Sequence, residues 1–344
     1  MQKHDNRNAL PLVSVLMITY NHEPYIREAI ESVLRQETDF RTELLIGEDC
    51  STDATEEIVA DYAKRYPEQI RLITSDSNVG MHQNLARLEA AIRGAYVAFC
   101  EGDDCWHDTK KLAKQIQFLE AHEDYSMVHT NYHTNYITQG RVKQHTLSLS
   151  NQLEDANAYE EFLNGRRTAM TLTVCVRADL YKKAVEENKE CTDTAWPMGD
   201  KQRWLELSRL GRVKYLSQSM ATYNVLGESA SRSRSAVKVL QFRIKAKDLL
   251  WHYLNKYPCS PAVAKDAKRR VLGFLIQSSF EAAEWKMVQS FWKEYRQYDN
   301  GWTRYRLYHW LSRRRSLGRA VLALLAARQS VFTLARQSRF VGVA

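Results

Sequence analysis

Apolar and polar positions alternate regularly along the first hundred residues. Leu12-Val-Ser-Val-Leu-Met-Ile-Thr19 is a near-continuous apolar run. A run apolar on both faces predicts a parallel strand buried between helices. Behind it Ile26, Ala29, Ile30, Val33 and Leu34 recur at helical spacing, with Pro24 near the first turn. Glu43-Leu-Leu-Ile-Gly47 predicts a second strand. Ile58, Val59, Tyr62 and Ala63 form the stripe of a second helix, opened by Asp53-Ala-Thr-Glu56 at capping-box spacing. A third strand follows over residues 70–74, then a turn at Asn78-Val-Gly80 and a helix over 81–93 ended by Gly94. Tyr96-Val-Ala-Phe-Cys100 is a fourth strand. Such alternation predicts an α/β fold with a doubly wound, mostly parallel sheet.

Each strand runs out into polar residues. Crossover handedness puts those ends on one rim, so Tyr20 and Asn21, Glu48 and Asp49, and Asp103 and Asp104 line a single crevice. The fourth end, Glu101-Gly-Asp-Asp104, holds three acids in four residues. Their charges repel, and burying one unpaired costs several kcal/mol. A hard divalent cation such as Mg²⁺ or Mn²⁺ removes that cost. Gly102 relaxes the backbone so that the acids converge. A solvated acidic turn would look the same locally.

Beyond Trp106 the pattern loosens. Asp108 is positioned to cap a helix through Leu112, Ile116 and Leu119. Residues 125–130 and 132–138 predict two strands, 139–153 a polar loop, 156–163 a helix and 170–176 a strand. Asp200 opens a helix carrying Trp204, Leu205, Leu207 and Leu210, ended by Gly211. Residues 213–216 and 220–225 predict short strands. Residues 236–298 predict a helical extension, broken at Pro258 and Pro261.

At 344 residues the chain can hold one large core or two domains. Its six cysteines form no CxxC pair, which removes zinc-ribbon and thioredoxin-like readings. With no apolar leader before the first strand, they favour the reducing cytosol. No GxGxxG follows a strand and no GxxxxGK[ST] occurs, which argues against a dinucleotide dehydrogenase and a P-loop NTPase. His22, His82, His129 and His133 read as structural. The net charge of +8 is a property of the tail: residues 301–344 hold nine arginines and no Asp, Glu or Lys, leaving 40 basic and 41 acidic residues in the rest. A basic body would have suggested nucleic acid. A basic tail with interleaved Trp, Tyr and Leu suggests peripheral contact with an anionic membrane, here its cytoplasmic face. The apolar stretch 320–327, bracketed by Arg319 and Arg328, is too short to span a bilayer. It reads as an in-plane amphipathic helix, or as a helix docked on the core. The expected organisation is a catalytic domain over 1–235, a helical extension over 236–300 and a basic amphipathic tail over 301–344.

Four motifs carry a resemblance: Val15-Leu-Met-Ile-Thr-Tyr-Asn21, Gly47-Glu-Asp-Cys-Ser-Thr-Asp53, Asn78-Val-Gly80 with Asn84, and Glu101-Gly-Asp-Asp104. In order and spacing they resemble family 2 of the inverting glycosyltransferases, with the GT-A fold, over roughly residues 11–235. The resemblance implies that Ile18, Thr19 and Tyr20 lie against the nucleotide base, and that Asn21 is the asparagine ending the first strand. Asp49 is then the acid that accepts a hydrogen bond from a uracil or thymine imide. Asp103 lies near the ribose, and Asp104 sits on a Mn²⁺ or Mg²⁺ ion bridging the diphosphate. Glu101 stands where Asp is commoner. Asp200 matches the family's catalytic base, with Gly199 where another acid often stands; the local sequence taken alone favours a helix cap at Asp200. Gln202-Arg203-Trp204 departs in spacing from the QxxRW element of processive synthases. Tyr223-Asn-Val-Leu226 replaces the family's Tyr-Arg-x-His, removing a positive charge and a possible metal ligand. Residues 227–234 read as a linker or as a loop closing on the diphosphate through Ser229, Ser231, Arg232 and Arg234.

The expected activity is transfer of a sugar from a UDP- or dTDP-linked donor to a hydroxyl of a glycan or lipid-linked acceptor, in polysaccharide or glycolipid synthesis. One rival is a sugar nucleotidyltransferase, which needs a Gly-rich, basic loop that Thr19-Tyr-Asn-His-Glu-Pro24 does not supply. Another is a non-catalytic membrane-surface adaptor with a vestigial sugar-nucleotide fold, against which Asp49, Asp103, Asp104 and Asp200 all stand intact.

Overall fold

The structure, a computed structural model, describes residues 12–147, 155–188, 199–226, 235–301 and 303–324. The chain divides into two compact units, Met1–Gly227 and Glu228–Ala344.

The first unit opens with β1 (Val13–Thr19), α1 (Ile26–Leu34), β2 (Thr42–Glu48), α2 (Thr55–Arg65), β3 (Ile70–Ile73), α3 (Met81–Ala91) and β4 (Tyr96–Phe99). There follow β5 (Cys105–Trp106), α4 (Lys111–Ala121), β6 (Tyr125–Tyr136), β7 (Arg141–Lys143), α5 (Ala158–Asn164), β8 (Cys175–Arg177), α6 (Ala178–Glu186), α7 (Gly199–Leu210) and β9 (Arg212–Val225). One sheet runs in the order β3-β2-β1-β4-β8-β6-β9-β5, with β7 paired to β6. The β3-β2-β1-β4 half is parallel. The other half is mixed, since β8 pairs antiparallel with β4 and β6 while β6 and β9 run parallel. The chain leaves β1 first toward β2 and later toward β4, so β1 and β4 flank a topological switch point, where open α/β sheets bind ligands. Val13, Val15, Met17, Leu44, Ile46 and Ala98 are buried under Ile26, Ile30, Ile58 and Val59 in one core.

Several boundaries differ from the sequence pattern. Residues 125–136 form one strand, and so do 212–225, where two short strands each were expected. The polar interruptions are absorbed as irregularities in the β6–β9 register around Thr130–Asn131 and Asn131–Tyr132. Asn131 compensates by accepting from the N–H groups of Tyr132 and Leu147 at 2.8 and 2.9 Å. The stretch expected as a strand over 170–176 begins as a 3₁₀ turn at Thr171–Thr173 and becomes β8 only at Cys175. Pro24 lies before α1. Asp53 and Asp108 are not N-caps: each folds its carboxylate onto the N–H two residues ahead, Thr55 and Lys110, in the turn before its helix. His129 and His133 stand four apart, but β6 separates them by about 13 Å, too far for a ligand pair.

The second unit comprises α8 (Ala236–Lys256), α9 (Pro261–Glu281), α10 (Trp285–Tyr295) and α11 (Arg304–Ser312), followed by helical residues 315–324. Ser235 and Ser260 cap α8 and α9. Leu272, Leu275, Ile276, Phe280, Trp285, Val288 and Tyr295 build its core. The described part of the basic tail joins that core through Tyr305, Tyr308, Leu311, Val321 and Leu322. Among the described residues no helix is long and apolar enough to cross a membrane.

Candidate active site

Three strand ends are laced together by backbone bonds. Gly102 N–H donates to Ile18 O at 3.0 Å, and Asp49 N–H donates to Thr19 O at 3.1 Å. Gly102 is required at this crossing. A Cβ there would stand 2.7 Å from Thr19 Oγ1 and 2.9 Å from His22 Nδ1. The acidic turn therefore lies directly on the end of β1, as the sheet order demands.

On the β1 end, Ile18 is half-buried and Thr19 buried, with Oγ1 3.2 Å from His22 Nδ1. Tyr20 is 42% exposed. Asn21 adopts the left-handed region, with φ +55°. Its Oδ1 accepts from Thr52 N–H at 2.8 Å and its own N–H donates to Ser51 Oγ at 3.0 Å. Asn21 thus ties the loop after β1 to the loop after β2.

On the β2 end, Glu48 is buried and accepts from Cys50 and Ser51 N–H at 3.0 and 2.8 Å. Asp49, also buried, accepts from Val79 and Gly80 N–H, each at 2.9 Å, and lies 3.7 Å from Arg87 Nη2. It organises the turn that starts α3, and an ionised carboxylate has further acceptor sites for a ligand.

The acidic turn holds the strongest electrostatics. Asp104 is buried, and burial together with the charges of Asp103 and Glu101 holds its carboxyl well above the usual range. Glu101 keeps some solvent contact, yet desolvation and the charges of Asp103 and Asp200 push it up to about 8. Asp200 stands in the first turn of α7 with its side chain reaching solvent. Desolvation raises its pKa as well, against the lowering effect of Lys201 N–H and Arg203. The action of Asp200 on Glu101 brings the start of α7 to the acidic turn, 99 positions away in sequence. Arg232 and the rest of the 227–234 loop lie outside the described residues, as do residues 148–154 and 325–344.

Whether this set suits a cation is a question of donors. Among the described residues no three His, Cys, Asp or Glu side chains converge as ligands. Asp103 and Asp104 instead offer two carboxylates beside a third acid, Glu101, and the three charges act against one another. That suits Mg²⁺ or Mn²⁺, which bind through one or two carboxylates and complete their shell with water and phosphate oxygens.

Two features were not legible in the sequence. Asn224, where the expected motif has Arg, holds the acidic turn: its backbone N–H donates to Asp104 Oδ1 at 2.8 Å and its side chain to Asp103 O at 2.7 Å. Behind Asp200, Arg203 Nε and Nη2 lie 2.9 and 2.7 Å from Glu89 Oε1. Tyr181 OH donates to the same oxygen at 2.6 Å. The signal for Asn224 was its departure from the motif, and that departure showed only what was lost.

Residues 14–179 match the profile described as Glycosyl transferase family 2. An uncharacterized protein of Mycobacterium tuberculosis is 46% identical over 112 residues, 33% of this chain. That match spans 32% of the relative, about a third of its length. The putative teichuronic acid biosynthesis glycosyltransferase TuaG of Bacillus subtilis is 27% identical over 77% of this chain and 99% of its own. Among solved structures, S. aureus TarS 1–349 in complex with UDP-GlcNAc superposes with a TM-score of 0.59 at 17% identity, covering 81% of each chain. The mannosyltransferase PcManGT of Pyrobaculum calidifontis, in complex with GDP-Man and Mn²⁺, gives 0.52 at 14% identity over 91% of this chain and 87% of its own. At these identities the structural likeness is one of fold.

Proposed function

The chain belongs to glycosyl transferase family 2 through residues 14–179, and from that premise we propose that it moves a sugar from a UDP- or dTDP-linked donor to a hydroxyl of a glycan or lipid-linked acceptor, with inversion. One observation supports the reading: the charge of Asp200, at the start of α7, acts on Glu101 in the acidic turn that crosses the end of β1 at the switch point of the sheet. Two structures of like fold hold nucleotide sugars, UDP-GlcNAc and GDP-Man, and one holds Mn²⁺, which supports a nucleotide diphosphate sugar donor and a divalent metal. TuaG, named for teichuronic acid biosynthesis, supports a polysaccharide setting.

Mechanistically, Tyr20 presents its ring to the base and Asp49 its remaining acceptor sites to the imide. Asp103 faces the ribose, and Asp104 with Asp103 would hold Mn²⁺ or Mg²⁺. When bound, the cation offsets the negative charge that grows on the departing diphosphate. Asp200 takes the proton of the acceptor hydroxyl, and its raised pKa makes it a stronger base toward that proton. The hydroxyl oxygen forms its bond to the anomeric carbon from the side opposite the diphosphate. The bond from that carbon to the phosphate oxygen breaks, and its electron pair leaves on the nucleotide diphosphate.

The test is release of UDP or dTDP from a panel of UDP- and dTDP-sugars with Mn²⁺. Asp104→Ala and Asp200→Asn should each lower the rate by about 100- to 1,000-fold. Release that survives Asp104→Ala would overturn the site assignment.

We also propose peripheral contact with an anionic membrane. Arg304, Arg306, Arg313, Arg314, Arg315 and Arg319 are all exposed, together with Leu307, Trp310, Leu317 and Leu324. Exposed basic side chains interspersed with exposed apolar ones suit anionic headgroups and the acyl boundary beneath them. Because Leu311 belongs to the core of the second unit, the variant to use is Arg313→Ala, Arg314→Ala, Arg315→Ala rather than a truncation. Flotation with vesicles containing anionic lipid should be lost in it; equal flotation of both proteins removes the membrane reading.

A further inference from the structure

Gly199, one residue before the proposed base, lies in a packed corner. A Cβ there would stand 2.9 Å from Arg203 Nη1 and 3.4 Å from His82 Cε1. Arg203 cannot yield freely, because all three of its guanidinium nitrogens are held. Its Nη1 donates to Gly199 O at 3.0 Å. Its Nε and Nη2 lie 2.9 and 2.7 Å from Glu89 Oε1 on α3, with both side chains only about a tenth exposed. Tyr181 on α6 donates to the same Glu89 oxygen at 2.6 Å. Below them Phe99 of β4 packs edge-on against Tyr181 and Trp204, with ring centroids 5.5 and 5.6 Å apart. Three elements far apart in sequence thus converge on the first turn of α7.

We infer that Arg203, clamped by Glu89 and Tyr181, is the positioning residue of Asp200. This rests on the reading of Asp200 as the base. The clamp acts in two ways. Through Gly199 O it fixes the turn that carries Asp200, and a misplacement of about 1 Å in a reacting group costs on the order of 100-fold in rate. Through its charge it favours the ionised carboxylate that the base must be. The titratable and charged groups linked electrostatically to Asp200 are Glu101 from the turn after β4, His82 from α3, and Lys201 and Arg203 from α7 itself, with Glu89 of α3 paired to Arg203. Arg203 is the buried, permanently charged one among them. Because Arg203 lies beside Gly199, a side chain at 199 would press on the clamp.

The experiment compares Arg203→Met, Arg203→Lys, Tyr181→Phe and Asp200→Asn in hydrolysis of UDP-GlcNAc with Mn²⁺, read as UDP release. Arg203→Met should lower kcat by about 10- to 100-fold with the donor KM within about twofold. It should also move the acid limb of kcat/KM to higher pH. Arg203→Lys keeps the charge but not the fork, so it should restore the acid limb and only part of kcat. Tyr181→Phe leaves the ion pair intact and should lower kcat by about fivefold, the effect of one hydrogen bond; it decides the matter if Arg203→Met does not fold. An unchanged kcat in Tyr181→Phe and in folded Arg203→Met, with Asp200→Asn inactive, overturns the clamp and leaves the base standing. Full activity in Asp200→Asn overturns the base reading itself.

Discussion

Asn224 donates its backbone N–H to Asp104 Oδ1 at 2.8 Å across a separation of 120 residues. Its side-chain nitrogen donates to Asp103 O at 2.7 Å, and its Oδ1 accepts from Asn135 Nδ2 at 2.9 Å. Fixing one oxygen of Asp104 sets the direction of the other. The strand end that lacks the expected Arg and His therefore orients the acids that would hold a cation.

Asn224→Ala keeps the backbone donor and removes both side-chain bonds. Loss of an orienting partner behind a metal ligand costs about tenfold or more in metal affinity. The Mn²⁺ concentration for half-maximal activity should rise by about that factor, while the melting temperature changes little. An unaltered Mn²⁺ requirement would show that the amide does not orient the acidic turn.

Gly102→Ala places a methyl group 2.7 Å from Thr19 Oγ1 and 2.8 Å from Thr19 Cβ. The acidic turn must then move away from β1. Overpacking of this kind costs about 1–3 kcal/mol, so denaturant unfolding should shift to lower concentration. Activity should fall more than stability, since Asp103 and Asp104 move with the turn. A variant as active as the parent would mean that the crossing tolerates displacement.

Glu101 gives a pH signature. Its ordinary value is 4.5, and in the folded protein it rises to about 8. The folded state thus binds more protons than the unfolded state between those limits. The stability this group contributes is fully present below about 4.5 and is lost as pH climbs through about 8. In metal-free protein the melting temperature should fall across that window more steeply in the parent than in Glu101→Gln. Mn²⁺ added near pH 7 should release protons, seen as a buffer-dependent heat of binding. Parallel melting profiles for the two proteins would show that Glu101 is not held protonated by its neighbours.

The parallel half of the sheet was readable because its strands are apolar on both faces and its helices carry 3.6-residue stripes. The mixed half was harder. Strands β6 and β9 contain polar interruptions that mimic turns, and only pairing along their whole lengths turned Thr130-Asn131 and Ser217-Gln218-Ser219 into irregularities within a strand. The basic tail was similarly ambiguous. Arginines interleaved with Trp, Tyr and Leu marked it as amphipathic, but its apolar side packs on Trp285 and Phe280 over the described residues.

By itself the sequence determined the alternation of strands and helices, the polar residues at the strand ends, and the acidic turn with its glycine. These depend on neighbours within a few positions, where periodicity and backbone freedom act directly. Only the tertiary structure decided that Asn224 grips Asp104, that Asn21 turns toward the neighbouring loop, and that Glu89 and Tyr181 hold Arg203 beneath Asp200. Those contacts join residues 31 to 120 positions apart. They exist because sheet order and helix packing bring particular atoms within 3 Å, a condition that no local pattern of residues encodes.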